Sequence, residues 1–267
     1  MTVALLISTY QWPEALDLVL KSVLQQSVIP DEVLIADDGS SQPTFGLIKK
    51  YKDAGLPLKH LWQEDKGFRK SQILNKAIAA SDSDYIIQVD GDCILHENFI
   101  EDHKFNARKG NFLFGSRVNI KEDAVEQILP GKRVKFGFFS RKVSRRTRNL
   151  RIPALSSLYK ETGELSRKVR GCNISFWRND FIAVNGYNED MTGWGKEDSE
   201  MVVRLLNSGV MGRRLRYAGI VYHIWHKEKS REREVINSGI QAEAIENKII
   251  RCEKGIDQYL QVESVHS

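Results

Sequence analysis

The chain has 267 residues, 41% of them hydrophobic and 28% charged, and its formal net charge is +5. This length and composition are typical of a globular protein with one large domain, and no segment approaches the roughly 18 consecutive apolar residues of a membrane span. Three widely spaced cysteines show no metal-ligand spacing and fit a reducing compartment, and the apolar N-terminus lacks the basic residues of a signal peptide. We therefore expect a cytoplasmic protein.

Alternating strand-like and helix-like segments fill the first half of the sequence. Short apolar runs predict strands at 3–8, 32–36, 58–62 and 85–89. Amphipathic spacing predicts helices at 13–24, 43–54 and 71–80. Such alternation predicts an α/β fold, in which right-handed βαβ units build a mostly parallel central sheet flanked by helices.

The second half of the sequence is less regular. Its patterns predict helices at 97–107, 178–185 and 197–207, and strands at 112–116, 170–177 and 219–223. The polar, basic region 117–170 predicts loops with short helices, and 230–252 predicts a charged helical tail. We expect three parts: a half that binds the first substrate at 1–116, the other half of the same domain at 117–227, and a helical extension at 228–267.

Polar motifs follow three of the predicted parallel strands, where ligands of such sheets bind. They are Ser8-Thr9-Tyr10, Asp37-Asp38 and Asp90-Gly91-Asp92. Two carboxylates one residue apart at a strand end suit a hard divalent cation, Mn²⁺ or Mg²⁺, although a surface turn is the alternative for an isolated motif of this kind. Asp37 and Asp38 suit either a turn with a helix cap or a carboxylate that accepts hydrogen bonds from a base or ribose.

Two further motifs precede predicted helices. Lys66-Gly67-Phe68-Arg69-Lys70 places cations and free backbone N–H groups at a helix start, which suits a diphosphate, whereas a solvated loop is the alternative. Gly193-Trp194-Gly195 leads into Glu197 and Asp198. A tryptophan between two glycines suits stacking against a sugar ring, and one of the two carboxylates suits a general base for a hydroxyl.

Two histidines, His223 and His226, end the last predicted strand. A metal that already has an aspartate ligand can take a histidine as a further one, and the spacing does not choose between the two.

A run of nine basic residues without an acid lies between Gly131 and Arg151. Its basic residues are Lys132, Arg133, Lys135, Arg141, Lys142, Arg145, Arg146, Arg148 and Arg151. The run suits a solvated loop, an anionic membrane surface or a phosphorylated acceptor. Nucleic acid is not the expected partner, because basic character alone is weak evidence for it.

Taken in this order, the motifs over residues 1–227 resemble family 2 glycosyltransferases of the GT-A fold. They are most similar to bacterial chondroitin-polymerase-type domains, whose C-terminal half resembles β-1,4-galactosyltransferases. The resemblance implies an inverting hexosyltransferase with a UDP-sugar donor, a saccharide or lipid-linked saccharide acceptor and a Mn²⁺ or Mg²⁺ ion. It further suggests a peripheral enzyme of bacterial surface-polysaccharide or lipopolysaccharide synthesis, at the inner face of the cell membrane.

The resemblance also implies roles for individual residues. Donor-binding residues would be Thr9, Tyr10, Asp38, Lys66, Gly67, Arg69, Asp90 and Gly91. Metal ligands would be Asp92, Asp90 and His223, with Asp92 the more direct. Trp194 and Glu197 would contact the acceptor, and Asp198 would be the catalytic base beside Glu197.

Two other classes compete with a transferase of sugars. A nucleotidyltransferase would share the carboxylate-bound metal, but Ser8-Thr9-Tyr10-Gln11-Trp12 lacks the glycines of its N-terminal loop. A non-enzymatic module that binds a membrane or nucleic acid through 131–151 would need neither Asp90-Gly91-Asp92 nor Glu197-Asp198.

Overall fold

Two β-sheets form the framework of the part of the chain that the computed structural model describes, residues 1–131, 134–227 and 232–260. The strands are β1 (Val3–Thr9), β2 (Glu32–Asp37), β3 (Leu58–Trp62), β4 (Tyr85–Asp90), β5 (Cys93–Leu95), β6 (Asn111–Gly115), β7 (Arg117–Ile120), β8 (Val143–Ser144), β9 (Glu161–Thr162), β10 (Ile174–Trp177), β11 (Met211–Leu215) and β12 (Val221–His223). The helices are α1 (Pro13–Leu24), α2 (Gln42–Asp53), α3 (Lys70–Ala79), α4 (Phe99–Asn106), α5 (Glu122–Gly131), α6 (Pro153–Ser156), α7 (Arg178–Ala183), α8 (Glu197–Asn207), α9 (Glu234–Glu246) and α10 (Asp257–Leu260). Within these ranges no helix combines the length and the apolar character needed to cross a membrane.

The larger sheet is mostly parallel. Its strand order is β3-β2-β1-β4-β10-β6-β11-β9. The first four strands are parallel to one another, β11 is parallel to β6, and β10 and β9 run against their neighbours. The predicted α/β fold with a mostly parallel sheet is therefore confirmed.

Strand β1 is buried on both faces, which explains its unbroken apolar sequence. Its side chains alternate between two hydrophobic cores: Val3, Leu5 and Ile7 pack into one, and Ala4 and Leu6 into the other. Helix α1 fills the first core and α3 the second, so helices cover both faces of the sheet. All four predicted apolar residues of α3 are buried there.

A smaller sheet, with strand order β5-β12-β7-β8, occupies the region after β4. The prediction of loops with short helices at 117–170 is only partly right, since this region also holds β7, the ten-residue helix α5 and the short strands β8 and β9. These strands have two to four residues, and their pairing partners are distant in sequence. Local patterns carry little signal for strands of this kind.

Other elements also differ from the prediction. Strand β11 was not predicted because its sequence contains Arg213 and Arg214; Arg213 is nevertheless buried, where its guanidinium donates to Asn106 Oδ1 at 3.0 Å. The strand predicted at 170–177 is shortened to β10 by a 3₁₀ turn at Gly171–Asn173. The tail helix predicted over 230–252 ends at Glu246 in α9, and residues 230 and 231 lie outside the described residues.

A buried ion pair fixes helix α8, which carries Glu197 and Asp198 at its first turn. Arg204 is fully buried, and its Nε donates to Glu200 Oε1 at 2.7 Å. The same guanidinium donates to the backbone carbonyls of Val184 and Gly186. Because every charge in this group is matched by a partner, α8 is held rigidly against the segment that follows α7.

Candidate functional site

A cavity of about 370 Å³ opens at the carboxyl ends of β1, β2 and β4. The strand register aligns the predicted polar motifs there, with Ser8 opposite Asp90 and Thr9 opposite Asp37. The residues that line it are Ser8, Thr9, Tyr10, Trp12, Ala36, Asp38, Phe68, Lys70, Ile73, Asp90, Gly91, Asp92, Arg117, Asn119, Ile120, Trp194, His223, Trp225 and His226. The convergence of the three strand-end motifs at one edge of the sheet is thus confirmed.

The two aspartates after β2 have different environments. Asp37 is fully buried and accepts the backbone N–H of Ser40 at 2.8 Å and a contact from His60 Nε2 at 3.0 Å. Asp38 faces the cavity and accepts from Gln63 Nε2 at 2.7 Å and from the backbone N–H of Arg69 at 2.9 Å. Asp37 therefore stabilises the turn that precedes α2, and Asp38 is the one of the two aspartates that lines the cavity.

Strand β1 and Gly91 are in direct backbone contact. Gly91 N donates to Ser8 O at 2.7 Å, and a Cβ at this position would lie only 2.9 Å from the same oxygen. Glycine is therefore required for close packing against β1. Thr9 and Tyr10, which follow Ser8 in the sequence, both line the cavity. The Tyr10 hydroxyl donates to Asp65 Oδ2 at 2.8 Å.

The two acids of Asp90-Gly91-Asp92 also differ. Asp90 Oδ1 accepts from Ser8 Oγ at 2.8 Å and from Lys70 Nζ at 2.7 Å. Asp92 instead lies beside two imidazoles: its Oδ2 is 3.1 Å from His226 Nε2 and 3.7 Å from His223 Nε2. The structure thus brings Asp92 and His223 together with His226, whereas the Asp90 carboxylate forms an ion pair with lysine.

Asp92, His223 and His226 have the chemistry of a metal site. One ligand atom from each lies within 4.8 Å of the others. Burial would raise the pKa of Asp92, but the two histidines lower it to about 2, so this residue is a carboxylate at neutral pH. Burial also lowers the pKa of His223, which keeps that imidazole neutral and able to bind a cation.

The Asp198 carboxylate is held by the turn before β10. Asp198 Oδ2 accepts the backbone N–H of Gly171 at 2.7 Å, and Oδ1 lies 3.4 Å from the Tyr187 hydroxyl that donates to it. A Cβ on residue 171 would lie 2.1 Å from Asp198 Oδ1, so only glycine leaves room for this carboxylate. Nothing in the sequence around Gly171 signals this role, because the contact spans 27 residues.

Glu197 is buried next to Asp198, and its Oε2 accepts the backbone N–H of Gly195 at 3.0 Å. Burial and the neighbouring Asp198 carboxylate raise the pKa of Glu197 to about 7. Neither acid lines the cavity. Both acids interact electrostatically with Lys70, which does line the cavity.

Lys70 connects the two groups of acids. Burial would lower the pKa of its ammonium, but the Asp90 and Asp198 carboxylates raise it well above the ordinary value, and Glu197 adds to the rise. Lys70 lines the cavity and is the first residue of α3. The sequence indicated a basic segment here but did not single out this lysine.

Indole rings form much of the apolar wall. Trp194 lines the cavity with 38% of its surface exposed, as expected for a ring that stacks on a ligand. Trp12 and Trp225 line it as well, although the sequence analysis did not select them. Their positions depend on the folding of α1 and of the segment after β12.

Three residues predicted for the donor site lie outside the cavity lining. Lys66 Nζ pairs with Glu64 at 2.8 Å, and Gly67 has open space around it. The Arg69 guanidinium donates to Gln72 Oε1 and to the Glu64 carbonyl. In this structure the cation that enters the cavity from the segment 66–70 is Lys70.

Two sequence profiles match the chain. Glycosyl transferase family 2 matches residues 4–160, which is more than half of the chain. A profile described as the N-terminal domain of galactosyltransferase matches residues 158–227. The second match covers Trp194, Glu197, Asp198 and both cavity histidines.

Similar curated proteins are glycosyltransferases. A validoxylamine A glucosyltransferase of Streptomyces hygroscopicus subsp. limoneus is 26% identical over 228 residues, which cover 78% of this chain and 48% of that protein. The chondroitin synthase of Pasteurella multocida is 24% identical over 239 residues, or 82% of this chain and 24% of the synthase. The chain thus spans at most about half the length of these relatives.

Similar solved structures confirm the predicted GT-A fold. Residues 1–349 of TarS from S. aureus, in complex with UDP, have a TM-score of 0.64 at 16% identity, over 97% of this chain and 70% of that one. The mannosyltransferase PcManGT from Pyrobaculum calidifontis, in complex with GDP-Man and Mn²⁺, has a TM-score of 0.60 at 16% identity, over 98% of this chain and 68% of that one.

Proposed function

Because this chain belongs to glycosyltransferase family 2, we propose that it transfers a sugar from a UDP-sugar to an acceptor hydroxyl with inversion at the anomeric carbon. The observation that carries the proposal is the position of Lys70. Its ion pair with Asp90 joins the cavity edge of β4 to the carboxylate pair at the start of α8. Lys70 therefore interacts both with Asp90, in the proposed donor site, and with Asp198, the proposed base.

Donor binding is assigned to residues 1–116. Asp38 would accept from the uracil or ribose, and Thr9 and Tyr10 line the same cavity. The Lys70 ammonium supplies positive charge beside Asp90, where a diphosphate would lie. Lys66, Gly67 and Arg69 are also proposed as donor contacts, which requires the segment 64–69 to move when the donor binds.

A divalent cation would be held by Asp92, His223 and His226, and the donor set fits it: a carboxylate and two imidazoles within 4.8 Å. Mg²⁺ takes oxygen ligands almost exclusively, so the two imidazoles favour Mn²⁺. When bound, the ion would neutralise charge on the leaving diphosphate. Asp90 would interact with both the ion and the ribose.

Asp198 is the proposed base. Its carboxylate would accept the proton of the acceptor hydroxyl, whose oxygen then attacks the anomeric carbon from the face opposite the nucleotide. The Gly171 N–H holds Oδ2 at 2.7 Å, and Oδ1, 3.4 Å from the Tyr187 hydroxyl, would take the proton. Trp194 would stack on the acceptor sugar and Glu197 would bind one of its hydroxyls.

The dependence of the rate on pH tests the role of Lys70. Burial raises the pKa of Asp198, and Lys70 counteracts that rise. In Lys70→Met the pKa of Asp198 should rise further, so at a given acidic pH a smaller fraction of the base is ionised. The acid limb of the kcat/KM profile is therefore expected to move to higher pH.

The matched control for this measurement is Lys21→Met, which removes another partly buried lysine paired with an aspartate at 2.7 Å. Its profile should coincide with that of the unaltered protein. An acid limb that stays in place in Lys70→Met, or moves to lower pH, would contradict the electrostatic coupling between Lys70 and Asp198.

The basic segment 131–151 suits an anionic lipid surface, where the enzyme would act peripherally at the cytoplasmic face on surface-polysaccharide or lipopolysaccharide precursors. Phe139 is 85% exposed, and Arg141, Arg145 and Arg146 are exposed beside it in sequence. Arg151 serves another purpose, since its guanidinium donates to Asp102 at 2.7 Å. Lys132 and Arg133 lie outside the described residues.

A panel of UDP-sugars incubated with the protein and Mn²⁺ tests the proposed activity. Slow release of UDP from one of them, abolished by EDTA, is the expected result, because water replaces a missing acceptor. Release of pyrophosphate from a nucleoside triphosphate would indicate a nucleotidyltransferase instead. Neither release nor nucleotide binding would indicate a non-enzymatic binding module.

A further inference from the structure

Four arginines lie close together around the cavity residue Arg117. Arg117 opens β7 and lines the cavity, Arg148 lies in the 3₁₀ turn Arg146–Asn149, and Arg214 and Arg216 lie at the end of β11. We call Arg117, Arg148, Arg214 and Arg216 the arginine cluster. All four are half-buried, and in the described ranges none of them forms an ion pair.

Their hydrogen bonds go to neutral acceptors. Arg148 donates to the carbonyl of Arg117 at 3.3 Å, and Arg216 donates to the carbonyl of Thr147 at 2.7 Å. Arg214 donates to Ser116 Oγ at 3.3 Å, while its Nε is buried with no acceptor. The cluster thus retains donors that the protein itself does not use.

The guanidinium groups are also close enough to repel one another. Burial lowers the pKa of Arg148, and the charges of Arg145, Arg214, Arg216 and Arg117 lower it further. Half-buried cations that form no ion pair are costly, and a bound anion removes that cost. A phosphate offers more acceptor oxygens and more negative charge than a carboxylate, so it is the better partner for several planar guanidinium groups.

The cluster adjoins the proposed base. Asn173 Nδ2 donates to the carbonyl of Ser116, the residue before Arg117, at 3.2 Å. The other end of the same turn, Gly171, donates its N–H to Asp198 at 2.7 Å. Because this turn contacts both, an anion on the arginine cluster would lie on the proposed acceptor side of the site.

We propose that the arginine cluster binds a phosphate group carried by the acceptor. This inference rests on the proposed function and specifies it: the acceptor is a phosphorylated or phosphate-linked saccharide, held by its phosphate while its hydroxyl faces Asp198. The Asn119 side chain, whose Oδ1 is buried without a partner beside the cluster, is available to a neighbouring hydroxyl of the same acceptor.

Calorimetric titration with phenyl phosphate tests the site in protein already saturated with UDP and Mn²⁺. Saturable binding is expected, because the donor site is filled and the cluster is not. The double variant Arg148→Gln/Arg216→Gln should bind phenyl phosphate at least about tenfold more weakly, since two charge-assisted hydrogen bonds are lost. Its affinity for UDP with Mn²⁺ should stay unchanged.

Arg251→Gln is the matched control, because it removes an exposed arginine that pairs with Asp257 at 3.1 Å. It should leave both affinities unchanged. If the double variant does not fold, it will lose both UDP binding and its thermal unfolding transition. The single variant Arg216→Gln is then titrated with phenyl phosphate instead. A threefold or greater loss of phenyl phosphate affinity is then expected.

Three results would overturn the inference. They are no saturable binding to the UDP-saturated protein, competition between phenyl phosphate and UDP, and equal affinity in the variants. The double variant could also lose sedimentation with phosphatidylglycerol vesicles while its affinity for phenyl phosphate is unchanged. That result would overturn the inference as well and would assign the cluster to lipid headgroups. Failure of the proposed function would appear separately, as absence of UDP binding by the unaltered protein.

Discussion

Asp198→Asn is expected to lower the rate of sugar transfer by about a thousandfold, within the range that general-base catalysis contributes. The amide keeps an oxygen that can accept the Gly171 N–H, so the local structure should persist. It cannot take a proton from the acceptor hydroxyl, however. Binding of UDP with Mn²⁺, measured by calorimetry, should stay within about twofold of the unaltered protein because Asp198 is outside the cavity lining.

Asp190→Asn is the matched control for that substitution. Asp190 pairs with Lys254 at 2.8 Å on the surface and has no part in the site. Its transfer rate should equal that of the unaltered protein. A near-normal rate in Asp198→Asn would assign the base elsewhere, with the neighbouring Glu197 as the next residue to test.

Asp92→Ala should abolish the metal-dependent part of UDP binding, an expected loss of about a hundredfold or more in affinity measured with Mn²⁺. The substitution removes the only carboxylate of the group formed with His223 and His226 among the described residues. It also leaves the imidazoles without the charge that holds them. Titrations with and without EDTA separate this loss from any general loss of binding.

The control for the metal site is Asp53→Ala, which removes an exposed carboxylate paired with Lys49 at 2.6 Å. His223→Ala and His226→Ala, compared in the same titration, decide which imidazole matters more. His226 is the nearer to Asp92, at 3.1 Å against 3.7 Å. Unchanged Mn²⁺-dependent affinity in Asp92→Ala would remove this residue from the metal site.

Local sequence was sufficient for the parallel half of the fold. Strands β1, β2 and β4 have continuous apolar sequences because both of their faces are buried, and the pattern of α1 and α3 shows the face that covers them. Strand β11 carried no such signal, since Arg213 is buried through hydrogen bonds to distant residues. The short strands of the second sheet pair with strands that are distant in sequence, so local patterns carry little signal for them.

The site residues that directly follow strands could be predicted from the sequence. Where several adjacent residues could serve, the sequence did not show which of them faces the cavity. Asp38, Asp92 and His223 face the cavity as predicted. The segment 66–70 contains three cations, and only the helical start at Lys70 decides that this one enters the cavity. Gly171 and Arg117 had no local signal at all, because each acts through contacts with residues far along the chain.

The anomeric configuration of the released sugar tests the mechanism most directly. An α-linked UDP-sugar is incubated with the protein and Mn²⁺, and proton NMR spectra are recorded from the first minutes, before mutarotation equilibrates the product. Attack from the face opposite the diphosphate predicts that the β-anomer appears first, together with UDP. Initial release of the α-anomer, or no cleavage of any UDP-sugar, would contradict an inverting transferase built around Asp198 and Asp92.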